Sequence, residues 1–483
     1  MKRLLLQLSA ISSLLLVAAG AYGGSRPRYG GTVRVLLHDR AMSVDPLSEE
    51  DHSAARDRLA GLLFETLTTI DAQGRVRPCL ASSWRSDQSK KSWQFRLRLA
   101  NFHDGSVVTA ADVAASLARS NPAWKYAAPD RQTVTIDAPS PMQRMAEMLA
   151  LPKYAIVKRQ ADPSGSTVLI GTGPYKLTQW QPGEKALLSV NEDYWGGRAF
   201  PDAIEFQMGV SLREQLLDRQ LGPYAAAEVG VEQLRALEQT NQNIAMSRPA
   251  DLLALVFLQG DSSSRTGRKP VDSRVREALS VAINRTAITN VLLQRRGTPA
   301  SGLLPQWLTG YEFIFPGSMN LERARELRAD AAAYVVITPI MLAYDAADPL
   351  SKLVAERIAV DAREAGIIVQ PYAELHVNSK TARSSMNADA VLLRTPLQSV
   401  EPAVALAALI DDLGFFSESV SAILAATRPE DLLEDERKLL ADHRVVPVAH
   451  LPQALWLNNN VHNWQQLMTG GWQLDQLWVE GAR

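Results

Sequence analysis

Seven histidines stand at positions 38, 52, 103, 376, 443, 450 and 462, and no two are four residues apart. No helix face therefore offers the paired imidazoles of a zinc or nickel cage. No Gly-x-Ser-x-Gly elbow, Walker loop, His-Glu-x-x-His or Cys-x-x-Cys occurs in the chain. Ile170-Gly171-Thr172-Gly173-Pro174-Tyr175 has two glycines but lacks the third of a dinucleotide fingerprint, and Pro174 follows where a helix should open. The single cysteine, Cys79, cannot form an internal disulfide. Between Pro78 and Leu80 it reads as a buried small hydrophobe rather than a reactive thiol. These residues form no recognisable constellation for turnover, metal or nucleotide chemistry.

The elements that must position such a site follow from patterning. Trp93–Leu99 alternates at period two, a half-buried strand with its arginines outward. Asp104-Gly105 turns the chain, and Thr109 with Asp112 three residues on has capping-box spacing, opening an alanine-rich helix over Ala110–Arg119. Thr133–Ile136 reads as another strand. The glycines of Ile170–Tyr175 end the apolar run Val168–Ile170 with a tight turn. Ser211 and Glu214 repeat the capping spacing before a helix over Leu212–Leu221, which Gly222 stops. Leu252–Leu258 is a continuous apolar run, a strand buried on both faces. Helices follow over Ser273–Asn284, Ala287–Leu293 and Pro349–Ala365, then strands over Ile367–Gln370 and Ala388–Leu393. Alternation of helix and strand is the pattern of a doubly wound α/β unit.

Composition sets the broad class. A chain of 483 residues exceeds one ordinary core, so two or three domains are expected. With 46% hydrophobic and 21% charged residues it is globular in type. A formal net charge of −1 supplies no long-range pull towards nucleic acid or anionic lipid. Lys2-Arg3, the apolar stretch Leu4–Val17 and the small residues Ala18–Ala21 form a secretory signal pattern. Cleavage is expected between Gly20 and Gly24, removing residues 1–23 and releasing a periplasmic protein. The apolar stretch is too short and interrupted for a membrane span of about 20 residues.

Several blocks in fixed order closely resemble the family 5 solute-binding proteins of ABC importers, the peptide- and nickel-binding group. They are Tyr29–Val35, Val44-Asp45-Pro46, Leu63–Leu67, Pro78–Trp84, Phe102–Gly105, Thr109–Val113, Ile170–Tyr175, Asn191–Gly197 and Asp272–Leu279 with Ala282–Arg285. The resemblance is dense to about residue 300 and thin afterwards. It implies an α/β fold of the periplasmic binding protein type II class: two α/β lobes joined by a two-strand hinge, with a β-rich subdomain inserted in the first. Lobe I would comprise 24–45, 170–248 and 455–483, the insert 46–169, and lobe II 249–454. No cysteine stands near the cleavage site, so the lipid-anchored form common in that family is not expected.

The function implied is a periplasmic receptor that delivers a peptide-like or other small polar solute to an ABC permease and ATPase by clamp closure, as a monomer without cofactor or metal. The alternative is a solute-sensing or chaperone-like binding protein uncoupled from transport, and an enzyme is not expected. In peptide-binding relatives the second-lobe strand leads to an aspartate for the peptide amine and then an acidic-proline pair. Here the matching stretch runs from Leu393 to Pro402, with Glu401-Pro402 as the pair and neutral Gln398 at the amine-binding position. Arg394 replaces a small residue and brings a planar fork suited to a carboxylate or phosphate. Two readings follow: Arg394 pairs with Glu401 at the surface, or the cleft prefers an anionic or neutral solute. In the second, Arg394, Gln398 and Glu401 face backbone around Ser43 and Val44 in lobe I.

Overall fold

The computed structural model describes residues 27–163, 165–209, 225–239, 242–258, 270–414, 419–474 and 476–480. The expected signal at 1–23 and the expected helix over 212–221 lie outside the described residues.

Strand Thr32–Leu37 ends in three consecutive buried residues and lies at the middle of a seven-stranded sheet. The spatial order is Tyr175–Gln181, Lys185–Val190, Ala203–Met208, Thr32–Leu37, Ala226–Glu228, Ala454–Leu457, Ile244–Met246. Thr32–Leu37 runs parallel to both neighbours, with Val35 opposite Phe206 and Ala226. The second sheet has six strands in the order Thr298–Pro299, Val445–Leu451, Asp251–Phe257, Ala390–Thr395, Ile340–Asp345, Val369–Glu374. Asp251–Phe257 is buried at every position, as its unbroken apolar run requires. It pairs antiparallel with both neighbours, and the parallel pairing lies further along, around Ile340–Asp345.

Residues 81–137 build a four-stranded antiparallel sheet with helix Ala110–Ser120 packed on it. Both halves of the Thr109–Asp112 capping box are formed. In strand Ser92–Leu97, Trp93, Phe95 and Leu97 are buried and Arg96 is exposed. Arg98 departs from the expected outward pattern: its guanidinium lies 3.5 Å from the Trp195 ring centre, a contact that also shields the aliphatic stem.

Gly171 and Gly173 correct the reading of their motif. Neither has a positive φ, so a left-handed turn is not the reason for glycine. A Cβ at 171 would meet the Leu63 carbonyl oxygen at 1.9 Å, and one at 173 would meet that of Leu62 at 2.3 Å. The segment is glycine because backbone packs against the end of helix Ala54–Leu63, where Gly173 N–H donates to Leu63 O at 3.0 Å. His103 closes the same corner, its Nε2 3.0 Å from the Gly173 oxygen. Nearby, Glu65 accepts hydrogen bonds from Tyr194 Oη (2.9 Å) and Trp195 Nε1 (3.0 Å). Cys79 Sγ donates to the same carboxylate at 3.4 Å, so Cys79 is a hydrogen-bonded, half-buried thiol and not the plain hydrophobe expected. Burial, then the Glu65 charge, pushes that thiol well above its usual range.

The chain passes between the two main sheets at residues 247–250 and again at 452–453. The two crossings lie side by side, joined by Ser247 N–H to Gln453 O and Ala250 N–H to Leu451 O, both 2.9 Å. A separate contact links the four-stranded unit to the six-stranded one. Leu67, Phe95, Ile136 and Met145 share one buried apolar cluster with Leu252, Val391, Val404 and Leu406. Helix Pro402–Leu413 explains this, because it is apolar on nearly every side and needs cover from two directions. Ion pairs Arg144–Glu401 and Lys153–Asp411 (2.8 Å) cross the same junction.

Candidate functional site

The carboxyl ends of parallel strands are where open α/β sheets collect ligands. Here that edge of each main sheet faces the other across a cavity of about 90 Å³. Asp39 follows strand Thr32–Leu37 on one side. Asp345 ends strand Ile340–Asp345 on the other, and Asp348 is the N-cap of helix Pro349–Glu364.

Across the back of the cavity runs a chain of polar contacts through Gln453 of one crossing and Asp251, the strand residue just beyond the other. Arg58, on helix Ala54–Leu63, pairs with Glu228 and donates from Nη2 to Gln453 Oε1 at 2.9 Å. Gln453 Nε2 donates to Asp251 Oδ1 at 2.9 Å. Asp251 Oδ2 in turn accepts Arg394 Nε at 2.9 Å and Nη2 at 2.8 Å. The Arg58 guanidinium also lies 4.3 Å from the Trp472 ring centre. Burial lowers the Arg58 pKa to about 10 against the pull of Asp39 and Asp251. Burial works to lower Arg394 as well, but Asp251, Asp348 and Asp39 outweigh it and hold this guanidinium above its usual value.

Among the described residues the carboxylates at the front make no ion pair. Asp345 accepts from Ala347 N–H (2.8 Å) and Asn378 Nδ2 (3.3 Å), and Asp348 from Leu350 N–H (3.0 Å) and Ser351 Oγ (2.7 Å). Burial first, then the Asp39 and Asp348 charges, pushes the Asp345 carboxyl up to about 6.

Residues 75–412 match the model of the bacterial extracellular solute-binding proteins, family 5. The chain belongs to that family. The glutathione-binding protein GsiB of Escherichia coli K12 is 27% identical over 320 residues, spanning 62% of this chain and 61% of that protein. The chain thus matches about three fifths of the length of such relatives. NikA from Staphylococcus aureus, solved with Ni(L-His)2, superposes with a TM-score of 0.79 at 20% identity, covering 93% of this chain and all of NikA. The oligopeptide-binding protein AppA from Bacillus subtilis, solved with a nonapeptide, also gives 0.79, at 15% identity, with 94% and 100% covered. The fold is that of a type II periplasmic binding protein. Among the described residues no helix is long and apolar enough to cross a membrane.

Within this family 5 chain the sequence-derived site residues scatter. Arg394 lines the cavity, but its partner is Asp251 and not Glu401. Glu401 caps helix Pro402–Leu413 through Val404 N–H at 2.8 Å and pairs with Arg144, so it lines neither this cavity nor its neighbour. Gln398 lines the neighbouring cavity and donates to Asp412 Oδ2 at 2.7 Å. Ser43 and Val44 line neither. The Ser43 N–H is taken by Asp51 Oδ2 at 3.0 Å, and Val44 is buried in the core of the seven-stranded sheet. Arg58, Gln453, Asp39 and Asp345 were missed. For the two aspartates a signal existed, since acids closing parallel strands stand at the ligand edge.

Proposed function

We propose that this chain is an extracytoplasmic receptor that binds a small polar or peptide-like solute and presents it to an ABC importer permease and its ATPase. The observation that carries the reading is the polar cavity lined by residues of both main sheets, reached by two adjacent chain crossings. The units around the two sheets act as the lobes of a clamp, residues 46–169 as the insert, and the crossings at 247–250 and 452–453 as the hinge. A ligand touching both lobes stabilises the closed state over the open one. Arg394 stands at the site and anchors its back wall, and Gln398 stands at the neighbouring cavity. No turnover is assigned to the protein. Two measurements test this. Native mass spectrometry of protein purified from its own periplasm should find a retained solute. Small-angle scattering should show a smaller radius of gyration when that solute is returned to stripped protein. Tight binding with no contraction sinks the clamp.

A further inference from the structure

Two cavities lie side by side and share a wall formed by Ala54, Arg58, Pro396 and Gln453. The first is the polar one described above. The second, about 190 Å³, is lined largely by apolar groups, among them Ile70, Pro152, Leu397, Val400, Leu467 and Trp472. The dividing wall is pinned, because Arg58 and Gln453 bond each other and each holds an acid as well.

The charges of the first cavity decide what it accepts. Five carboxylates line it (Asp39, Glu228, Asp251, Asp345 and Asp348) against two guanidiniums, Arg58 and Arg394. Both guanidiniums are already paired, with Glu228 and Asp251. Among the described residues Asp39, Asp345 and Asp348 make no ion pair, the first just beyond the central strand of the first sheet and the other two at the end of strand Ile340–Asp345 and the helix start after it. An entering anion would have to displace Asp251 from Arg394 while facing three carboxylates at close range. A cation meets acceptors on both sides and draws the two sheets together. The described residues hold no group of three His, Cys, Asp or Glu side chains converging tightly enough for a metal. Asp348 also gives its oxygens to helix N–H and hydroxyl donors. Carboxylates spread across a gap suit the several N–H donors of an organic cation.

We propose that the two cavities form one site for a cationic solute with an apolar substituent. Its primary ammonium or guanidinium is held between Asp39 on one sheet and Asp345 and Asp348 on the other, and its apolar part lies in the second cavity. This rests on the receptor reading and names the class of solute. It departs from the sequence-based reading of an anionic or neutral solute, because the Arg394 fork that prompted that reading is closed by Asp251.

The test uses full-length mature protein stripped of solute by unfolding and refolding, titrated calorimetrically at pH 7.5. The probes are 4-phenylbutylamine, its carboxylate counterpart 4-phenylbutanoate, and agmatine. The amine should bind at least tenfold more tightly than the carboxylate. Asp39→Asn and Asp345→Asn should each weaken the amine at least tenfold while melting near the wild-type temperature. Gly61→Met tests the second cavity: residue 61 lines it, and a Cβ there meets nothing within 4 Å. That variant should weaken phenylbutylamine and leave agmatine unchanged. A carboxylate that binds as tightly as the amine, or folded Asp→Asn variants with unaltered affinity, overturns the assignment. So does a neutral or anionic solute retained by untreated protein, although the receptor reading then stands. If nothing is retained and no probe binds, the receptor reading falls and the assignment with it.

Discussion

Arg394 grips Asp251 with two donors, Nε at 2.9 Å and Nη2 at 2.8 Å, across the paired strands Ala390–Thr395 and Asp251–Phe257. Asp251 is almost fully buried, whereas Arg394 keeps about a third of its side chain in solvent. Among the described residues, removing the arginine leaves a buried carboxylate with Gln453 as its remaining side-chain hydrogen-bond partner. Arg394→Ala is therefore expected to destabilise by about 2–3 kcal/mol, below the ~3–5 kcal/mol of a wholly buried pair because water reaches one partner. Asp251→Asn, which removes the stranded charge, should restore part of that loss in the double variant. Urea midpoints of the cycle check this, and additive losses would show that the two do not act as a pair.

Gly171→Ala is expected to be far more damaging than its size suggests. Its Cβ would sit 1.9 Å from a backbone oxygen that cannot move without dislodging the end of helix Ala54–Leu63. We expect a loss of at least about 3 kcal/mol, at the upper end of overpacking costs. Gly61→Ala, inside that helix with open space around it, should instead gain about 0.5–1 kcal/mol. Thermal unfolding of the two variants should move in opposite directions.

What the sequence revealed and what it hid divide along range. Local devices were legible because their causes are local: the Thr109–Asp112 box closes within one turn, and the apolar run at 252–258 can only be a buried strand. Partner choice was not. Arg58 meets Glu228 from 170 positions away and Gln453 from 395, and nothing near any of them in sequence encodes that meeting. Arg394 stood at the right strand end, but the pair with nearby Glu401 that was one of its two readings does not form, and Arg144 reaches Glu401 from 257 positions away. The Gly171–Gly173 motif was visible, yet its reason, a carbonyl pressed against it, appears only in three dimensions.

A buried acid and a buried histidine under the 301–315 loop should give stability a flat plateau between about pH 4.5 and 6.5, where their opposite proton linkages cancel. Burial pushes Glu436 up to about 7, although Tyr311 Oη and the Leu303 and Leu304 N–H groups donate to it. Burial also lowers His450 to about 4, with Leu303 O at 3.2 Å from its Nε2. The glutamate's folded pKa exceeds its unfolded value, so stability falls as pH rises from about 4.5 to 7. The histidine's folded pKa lies below its unfolded value, so stability falls as pH drops from about 6.5 to 4. Glu436→Gln should recover about 3 kcal/mol at pH 8 and uncover the histidine's slope, so that the variant gains stability from about pH 4 to 6.5. Melting curves from pH 4 to 9 decide it, and a variant as flat as the wild type between about pH 4.5 and 6.5 would refute the assignment.

Arg144 ties the four-stranded unit to the six-stranded one twice, through Glu401 and through the Ala426 oxygen at 2.6 Å. Glu401 caps helix Pro402–Leu413 and Ala426 lies beyond it, so the side chain resists separation of the two units. Arg144→Ala combined with Lys153→Ala should enlarge the radius of gyration of solute-free protein and weaken solute binding several-fold, because the closed state then costs more to reach. Scattering profiles that overlay those of the wild type would show that these pairs do not hold the units together.

Asp345 makes the cation site sensitive to mild acid. The groups facing it are Asp39 and His38 from the first sheet, Asp348 from the adjoining turn and Asn378. Its carboxyl titrates near 6 in the solute-free protein, against 3.8 in a model compound, so a proton competes with the bound cation in the region where affinity is read. If only the ionised form binds, affinity for an amine should rise roughly tenfold between pH 5 and 7 and flatten above. The bound cation favours the carboxylate, so binding at pH 6 should release protons, and the calorimetric heat should then depend on the buffer's own ionisation enthalpy. Asp345→Asn should abolish both the slope and the buffer dependence while leaving weak, pH-independent binding. A wild-type affinity that is flat from pH 5 to 7 would place the cation away from this carboxylate.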